Sequence, residues 1–445
     1  MTSEPPAGAP GADTPADGGS LVAMLFGDGL QLDPRAGTPR LPRVPDTDWD
    51  DHEERLLGHP TAVPMAPAHG LAGNSGRRLF LMAVRGPVEE RVAVLPLDRL
   101  DDLDEDAEVV SAVRTAVARW RGGLPLPPRR PDWYRPAWWD EIEAWVDARL
   151  ADLDRPRTGP LRTVRLWSLS AVLEVPTAAG SLYVKATCEW FRHEPVLTAT
   201  VARMAPRRSP QVLAVDVARA WMLMERLPGT PHRGPRAPGL PGAAGLALAE
   251  VQLASLGHRE ALLAAGCPDR GEDATLAGLA RVLRDGVEVG LLDPGERAAL
   301  RESEAELAAA VRELYACGLP VVLSHGDLHL DNVASEGPDV VFLDWTDACL
   351  SHPFLDAAHL ARSAAEEHPD GAEEVWAAFL PAWRAVAPTA DLDRARLIAP
   401  RVDVVFQAVS YEGILRATEQ GSVHDMEGVQ AHLLRSLLAG PAGRG

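Results

Sequence analysis

Hydrophobic and polar positions change period several times along this chain. Residues 1–20 are acidic, rich in Pro and Gly and without apolar periodicity, which predicts a disordered tail. From Leu21 to Gly123 the pattern is mixed and reads as a small α/β module. Within it, Leu79–Val84 and Arg91–Leu95 predict two strands joined by a short turn at Arg85-Gly86-Pro87. Ala107 to Trp120 predicts a helix with Val109, Val110, Val113, Ala116, Val117 and Trp120 on one face. The acidic run Asp101 to Glu108 suits the positive end of that helix dipole. Residues 124–155 hold a Pro/Arg-rich connector and then an amphipathic helix. Trp138, Ile142, Trp145, Val146, Arg149, Leu150 and Leu153 recur there at helical spacing. Its aromatics are expected to pack against a neighbouring domain, with a sugar platform as the alternative.

Residues 156–228 switch to strand character. Three short strands are predicted over 162–187, with turns near Ser168–Ser170 and Thr177–Gly180. A helix follows over Trp190–Met204, with Pro195 tolerated near its start. Val212–Val217 and Ala220–Leu227 predict two more strands. Five prolines and four glycines in residues 228–242 mark a connector. From there to the C-terminus the pattern is helical, with one interruption at residues 320–345.

Composition narrows what this architecture can serve. A length of 445 residues suggests two or three domains at ~100–200 residues each. A net charge of −20 argues against a nucleic-acid partner and is compatible with cationic small molecules. Cys188, Cys267, Cys317 and Cys349 are scattered, which suggests neither a zinc site nor a disulfide framework. The N-terminus lacks the apolar core of a secretory signal, and no run approaches 18 apolar residues. The expected compartment is the cytoplasm, with no membrane partner. Among 44 basic residues, Lys185 is the only lysine. Arg replaces a solvated Lys at little cost, so the surviving Lys marks a site that could require a compact point charge.

The interruption at 320–345 carries the chemistry. Val321-Val322-Leu323 is a short apolar strand ending at His325-Gly326-Asp327, and Asn332 follows Asp327 after four residues. Val340-Val341-Phe342-Leu343 is a second apolar strand, which delivers Asp344. Two adjacent β segments thus hold a carboxylate, an amide and another carboxylate. Phosphoryl transfer requires this set: one carboxylate to accept the proton of the attacking hydroxyl, and an amide and a carboxylate to hold Mg²⁺ on the phosphates.

HGDLHLDN followed by FLDW resembles the aminoglycoside phosphotransferase family, relatives of choline kinases and protein kinases, over about residues 160–420. The resemblance implies an α+β, protein-kinase-like fold with a small β-rich lobe (156–228) and a large helical lobe (229–445), preceded here by the extra module. It implies Asp327 as catalytic base, Asn332 and Asp344 as Mg²⁺ ligands, and His325 and His329 as braces of the loop. It also demands a strand-borne Lys on the phosphates of ATP and an acid on the next helix. Lys185 lies in the third strand, with Glu194 as the expected partner and Glu189 as its rival. Met222–Leu227, with Glu225, resembles the hinge segment whose backbone meets adenine. The implied reaction is transfer of the γ-phosphoryl group of ATP to a hydroxyl of a small molecule, an amino sugar, sugar or aminoglycoside.

Departures from the family pattern bear on this reading. The nucleotide loop, Trp167-Ser168-Leu169-Ser170-Ala171, has no glycine, so the hydroxyls of Ser168 and Ser170 are expected to replace backbone N–H groups. Gly326 stands where protein kinases carry Arg, and Ser351-His352 where Gly-Asp is common. Substrate groups are expected from Asp347, Asp356, Asp403, Gln407, Tyr411 and Glu412. Asp403, Gln407 and Tyr411 share one helix face, as a solvated face or a polar wall toward a polyhydroxylated or amino ligand. Sugar kinases resembling this family, acting on maltose or glucosamine, also carry an N-terminal cap. Two other readings compete: a catalytically silent kinase-fold binding protein, and a metallohydrolase whose ligands His325, Asp327, His329 and Asp331 alternate along a strand.

Overall fold

The computed structural model describes residues 20–33, 36–44, 62–70, 78–85, 93–227, 238–336, 339–419 and 426–439. The predicted tail before Ser20, the turn residues Gly86 and Pro87, most of the 228–242 connector and Gly443-Arg444-Gly445 lie outside these. The chain divides into two compact units, Met1–Ala144 and Trp145–Gly445.

The first unit contains β1 (Ser20–Phe26), β2 (Gly29–Gln31), β3 (Arg43–Val44), β4 (Ala62–Gly70), β5 (Arg78–Val84), β6 (Val94–Pro96) and α1 (Ala107–Trp120). The sheet runs β4-β5-β1-β2-β6, with β3 paired to β1. The expected pairing of the two predicted strands is not found. β5 pairs antiparallel with β4 and parallel with β1, whereas β6 pairs with β2. The reason lies in burial: Leu79 to Ala83 are all buried, so β5 needs a neighbour on each side, while β6 buries only Leu95 and suits an edge. The acidic run does more than precede α1. Asp104 accepts from Thr38 and Arg40, and Glu105 from the Leu41 N–H and Arg43, which ties down the 38–43 segment. Trp133, Trp138 and Trp139 pack edge to face in the core at no more than 2% exposure. Core rings cannot serve as a sugar platform.

In the second unit, β7 (Arg162–Leu166), β8 (Ser170–Thr177), β9 (Gly180–Thr187), β10 (Val212–Asp216) and β11 (Trp221–Glu225) form an antiparallel sheet ordered β10-β11-β9-β8-β7. The helix before this sheet is α2 (Pro136–Asp152), whose Trp145 packs edge-on against Trp221. Alternation is clear in β8, where Ala171, Leu173 and Val175 are fully buried, and β9 answers with Leu182, Val184 and Ala186. Lys185 therefore points to the other face of the central strand, between Val172 and Met222. α3 (Glu194–Met204) starts four residues later than predicted, because a 3₁₀ turn at Glu189–Phe191 precedes it and Pro195 occupies its first turn.

The helical lobe comprises α4 (Leu240–Ala254), α5 (Arg259–Ala264), α6 (Glu272–Asp285), α7 (Pro294–Tyr315), α8 (Pro353–Glu367), α9 (Gly371–Val386), α10 (Leu392–Ala417) and α11 (Val429–Leu438). Phe354, Trp376, Phe379 and Trp383 chain together at its centre. Between α7 and α8 lie β12 (Val322–Ser324), β13 (Val333–Glu336), β14 (Asp339–Phe342) and β15 (Cys349–Ser351). β12 pairs with β15 and β13 with β14, so the two motif strands belong to separate two-stranded sheets. β13 and β15 were not predicted. Each is only three or four residues long, too short to set a period.

Candidate active site

The loop that carries Asp327 leaves β12 at His325 and is fixed from beneath by α8. Asp356, 2% exposed, accepts the His325 N–H at 2.7 Å on one oxygen and the Gly326 N–H at 3.0 Å on the other. Burial pushes its carboxyl up to about 6. Asp356 is thus spent on the loop backbone and does not reach a substrate. One turn on, His359 meets Asp327, and after another turn the Ser363 hydroxyl accepts from Leu330 N–H. Asp356, His359 and Ser363 stand at i, i+3 and i+7, a polar stripe along one face of the helix. The sequence reading missed His359, and this stripe is the signal that could have found it.

Gly326 sits at φ 86°, and a Cβ there would lie 2.1 Å from the Asp347 carbonyl oxygen. This explains the departure from Arg: the site admits no side chain. Gln407 clamps the same glycine, donating from Nε2 to its carbonyl at 2.8 Å. The His325 ring lies inside, with Nε2 donating to the Leu343 carbonyl at 2.9 Å, and burial pushes it down to about 4. A neutral imidazole thereby joins the loop after β12 to the end of β14, two strands that do not pair with each other.

Asp327 faces outward from this brace. His359 Nε2 stands 3.4 Å from Oδ1 and His329 Nε2 3.7 Å from Oδ2. Burial works against the anion, but the His359, His329 and His325 rings outweigh it and hold the carboxyl below its ordinary range. Asn332 closes a 3₁₀ turn at Leu330–Asn332 and donates from Nδ2 to the Asp327 carbonyl at 2.9 Å, which turns its amide oxygen the other way.

Asp344 follows β14 in a left-handed conformation, φ 65° and ψ 68°. Such a backbone costs a non-Gly residue ~1–2 kcal/mol. Its Oδ1 accepts from Lys185 Nζ at 2.8 Å and from the Thr346 hydroxyl at 2.8 Å. Lys185 Nζ also donates to Glu194 Oε1 at 2.7 Å. The expected partner is the one found, since Glu189 is exposed and pairs with Arg192. Burial opposes the ammonium, but Asp344 and Glu194 outweigh it and raise Lys185. Burial pushes Glu194 up to about 7, whereas Lys185 holds Asp344 well below the usual carboxylate range.

The remaining candidates divide. Asp347 is half-buried, and burial and then Asp327 push its carboxyl up to about 7. Burial, with Asp327 and Asp347 nearby, raises the Tyr411 hydroxyl. These two line the region beside Asp327. Asp403 and Gln407 are 1% and 4% exposed and turn inward, toward His359 and Gly326. The predicted face is therefore neither solvated nor a polar wall. Glu412 lies apart: it accepts from Val287 N–H and Gln430 Nε2 and pairs with Arg416, joining α10 to α11. Glu225 binds Arg155, and its N–H is taken by the Gln211 carbonyl.

The segment expected to serve as the nucleotide loop differs most from expectation. Ser168 and Ser170 are buried, and the Trp167 indole donates to the Ser170 hydroxyl at 2.9 Å. Leu169 packs with Phe191, Ile414, Leu415 and Met426, so the loop leans on the helical lobe. Nearby, a Cβ on Gly413 would come within 2.6 Å of the Trp190 ring. Where Gly-Asp was expected, His352 caps α8 by accepting from the Phe354 N–H at 3.3 Å. His325, Asp327, His329 and Asp331 do not alternate along a strand, and no three His, Cys, Asp or Glu among the described residues are grouped to hold a metal ion. The metallohydrolase reading thus lacks its ligand set. No helix among the described residues is long and apolar enough to cross a membrane.

The model of the "Phosphotransferase enzyme family" matches residues 177–389, from the end of β8 into the segment after α9. No curated protein matches the chain. Among solved structures, the GDP and kanamycin complex of APH(2″)-IIIa is 17% identical, with a TM-score of 0.50 over 67% of this chain and 99% of that one. The GDP complex of wild-type aminoglycoside 2′-phosphotransferase-IIIa is 16% identical, also at 0.50, over 67% and 98%. A choline/ethanolamine kinase family protein from Mesorhizobium loti is 21% identical, with a TM-score of 0.47 over 68% and 96%. At such identities the likeness is one of fold. Residues 177–389 thus match the phosphotransferase enzyme family, and the fold that carries them is protein-kinase-like.

Proposed function

We propose that the chain uses Mg²⁺ and ATP to phosphorylate a hydroxyl of an amine-bearing small molecule, an amino sugar or aminoglycoside, with plain sugars as the next class. The observation that carries the reading is Lys185 reaching both Glu194 and Asp344 from the central strand, with Asp327 and Asn332 on the adjoining loop. In this reading Lys185 binds the nucleotide phosphates and Glu194 orients it. Asn332 and Asp344 fit a divalent cation: the Asn332 amide nitrogen is already committed, which leaves its oxygen, and Asp344 is held ionised. Mg²⁺ suits so few protein ligands because phosphates and waters complete its shell, and when bound it neutralises charge on the phosphate oxygens.

The acceptor oxygen bonds to the γ-phosphorus as the bond to the β–γ bridging oxygen breaks. Its proton passes to Asp327, and ADP leaves. His325 and His329 brace the loop. Two carboxylates, Asp327 and Asp347, repel each other beside this centre, and an ammonium group on the acceptor would offset that repulsion. The kanamycin complex of a fold neighbour is in keeping with such an acceptor.

The second reading, a silent kinase-fold binding protein, has the glycine-free loop leaning on α10 in its favour. The test is ADP release with MgATP across aminoglycosides, amino sugars, maltose, choline and nucleosides, beside a thermal shift with MgATP. Acceptor-dependent ADP release is expected from an amine-bearing polyol. A thermal shift without ADP from any acceptor would favour the silent reading, and neither signal would sink both.

A further inference from the structure

The phosphotransferase reading gives Asp327 a task but not a means of keeping its carboxylate still. The side chain is 37% exposed, and a loosely held carboxylate would offer either oxygen to the acceptor. The two imidazoles against it are unequal. His329 lies on the loop itself and is 32% exposed. His359 projects from the rigid α8, is only 12% exposed, and is supported from behind. Its Nδ1 stands 3.2 Å from Asp403 Oδ1, and Arg362 Nη1 holds the other Asp403 oxygen at 2.8 Å.

Carboxylates are acceptors only, so a ring with one at each nitrogen carries a proton on both. Arg362 Nη2 and Gln407 Nε2 also donate toward Nδ1, at 2.8 and 3.2 Å, so the doubly protonated ring requires both to turn to their other acceptors, Asp403 and the Gly326 carbonyl. The charged groups facing the ring are Asp327 from the loop, Asp403 from α10, and Arg362 and Asp356 from its own helix. An imidazolium with Arg362 balances Asp327 and Asp403. Burial opposes that charge, but Asp403 and Asp327 outweigh it and push the ring up to about 10.

We propose that His359 is a positioning residue for Asp327: anchored by Asp403 and Arg362, it holds Oδ1 and leaves Oδ2 as the oxygen that meets the acceptor hydroxyl. Its effect on turnover rests on the phosphotransferase reading; the clamp does not. A neutral, unclamped ring would leave Asp327 with a higher pKa and two rotamers, so turnover would fall without loss of nucleotide binding.

Two measurements on the full chain test this. Ring ¹⁵N NMR should find His359 protonated to beyond about pH 9, and Asp403→Asn should lower that midpoint by about a unit or more. A midpoint near the ordinary value of about 6.5 overturns the proposal. In ADP-release kinetics with MgATP, His359→Leu should lower kcat by about ten- to hundredfold with the KM for ATP unchanged. The acid limb of kcat/KM should move up by about one unit, as expected when a cation beside a carboxylate is lost. His359→Gln, which keeps an N–H donor, should recover part of kcat. Unchanged kcat and pH profile in His359→Leu overturn the proposal. If the wild-type chain releases no ADP, the phosphotransferase reading fails, and the NMR midpoint alone decides the clamp.

Discussion

Replacing Lys185 by Met removes one cation from between two carboxylates. Nζ lies 2.7 Å from Glu194, itself 1% exposed, and 2.8 Å from Asp344, whose side chain is 24% exposed. Leaving a buried charge without its partner costs about 3–5 kcal/mol, and the partial exposure of Asp344 points to the lower end. At a urea dependence of about 2–3 kcal/mol per molar, about 3 kcal/mol moves the unfolding midpoint down by roughly 1 M. The penalty depends on pH in a definite direction. Burial already pushes Glu194 up to about 7 with Lys185 present; loss of the cation raises it further and releases Asp344 from its depressed value. A carboxyl whose folded pKa exceeds its unfolded value loses stability as pH rises through the folded value. The Met variant should therefore lie furthest below wild type at about pH 8 and closest at about pH 5. Lys185→Arg keeps a charge and should retain most of the stability, yet lose turnover by about 100-fold or more, because a planar fork cannot take the place of a compact ammonium. Urea titrations at both pH values, followed by tryptophan fluorescence and paired with ADP release, measure all of this. A Met variant as stable as wild type at pH 8, or an Arg variant with full turnover, would refute the reasoning.

Other consequences follow from the brace beneath the loop. Gly326→Ala meets a backbone carbonyl and an unfavourable φ, so calorimetry should record a loss of about 2–4 kcal/mol together with loss of turnover. His352 is buried neutral, its pKa pushed down to about 3 by desolvation. A His with a depressed folded pKa gives stability that is present above about pH 6.5 and is lost as pH falls toward the folded value. The stability gap between wild type and His352→Gln should accordingly narrow by about 1.4 kcal/mol per pH unit below that point, read from urea titrations at pH 7, 6 and 5.

The parts of the fold that could be read in the sequence are those with a long, unambiguous period. α1 falls at its predicted bounds because one apolar face settles it, with four of its six positions buried, and β8 lies between its predicted turns through alternation. Lys185, Glu194, Asp327, Asn332 and Asp344 could be placed because a motif fixes their spacing. What failed was tertiary in origin. β5 looks like half of a hairpin until its burial on both faces demands two other partners. Asp403 and Gln407 read as a solvated face or a ligand wall because helical period cannot say which neighbour a polar face meets, and here it meets His359 and the loop that carries Asp327. His359 escaped notice because one His in an Ala-rich helix carries no motif; its alignment with Asp356 and Ser363 is a weak signal, and its distance from Asp327 gives it meaning.

The central claim is that Asp327 receives the acceptor proton while Lys185 and Asp344 manage the phosphates. Transfer of labelled γ-phosphate from ATP to the acceptor identified by ADP release tests it most directly, in wild type and Asp327→Asn at matched MgATP occupancy. The account predicts labelled acceptor from wild type, and a loss of about 10²–10⁴-fold in the variant with nucleotide binding retained. Undiminished transfer by Asp327→Asn would contradict it.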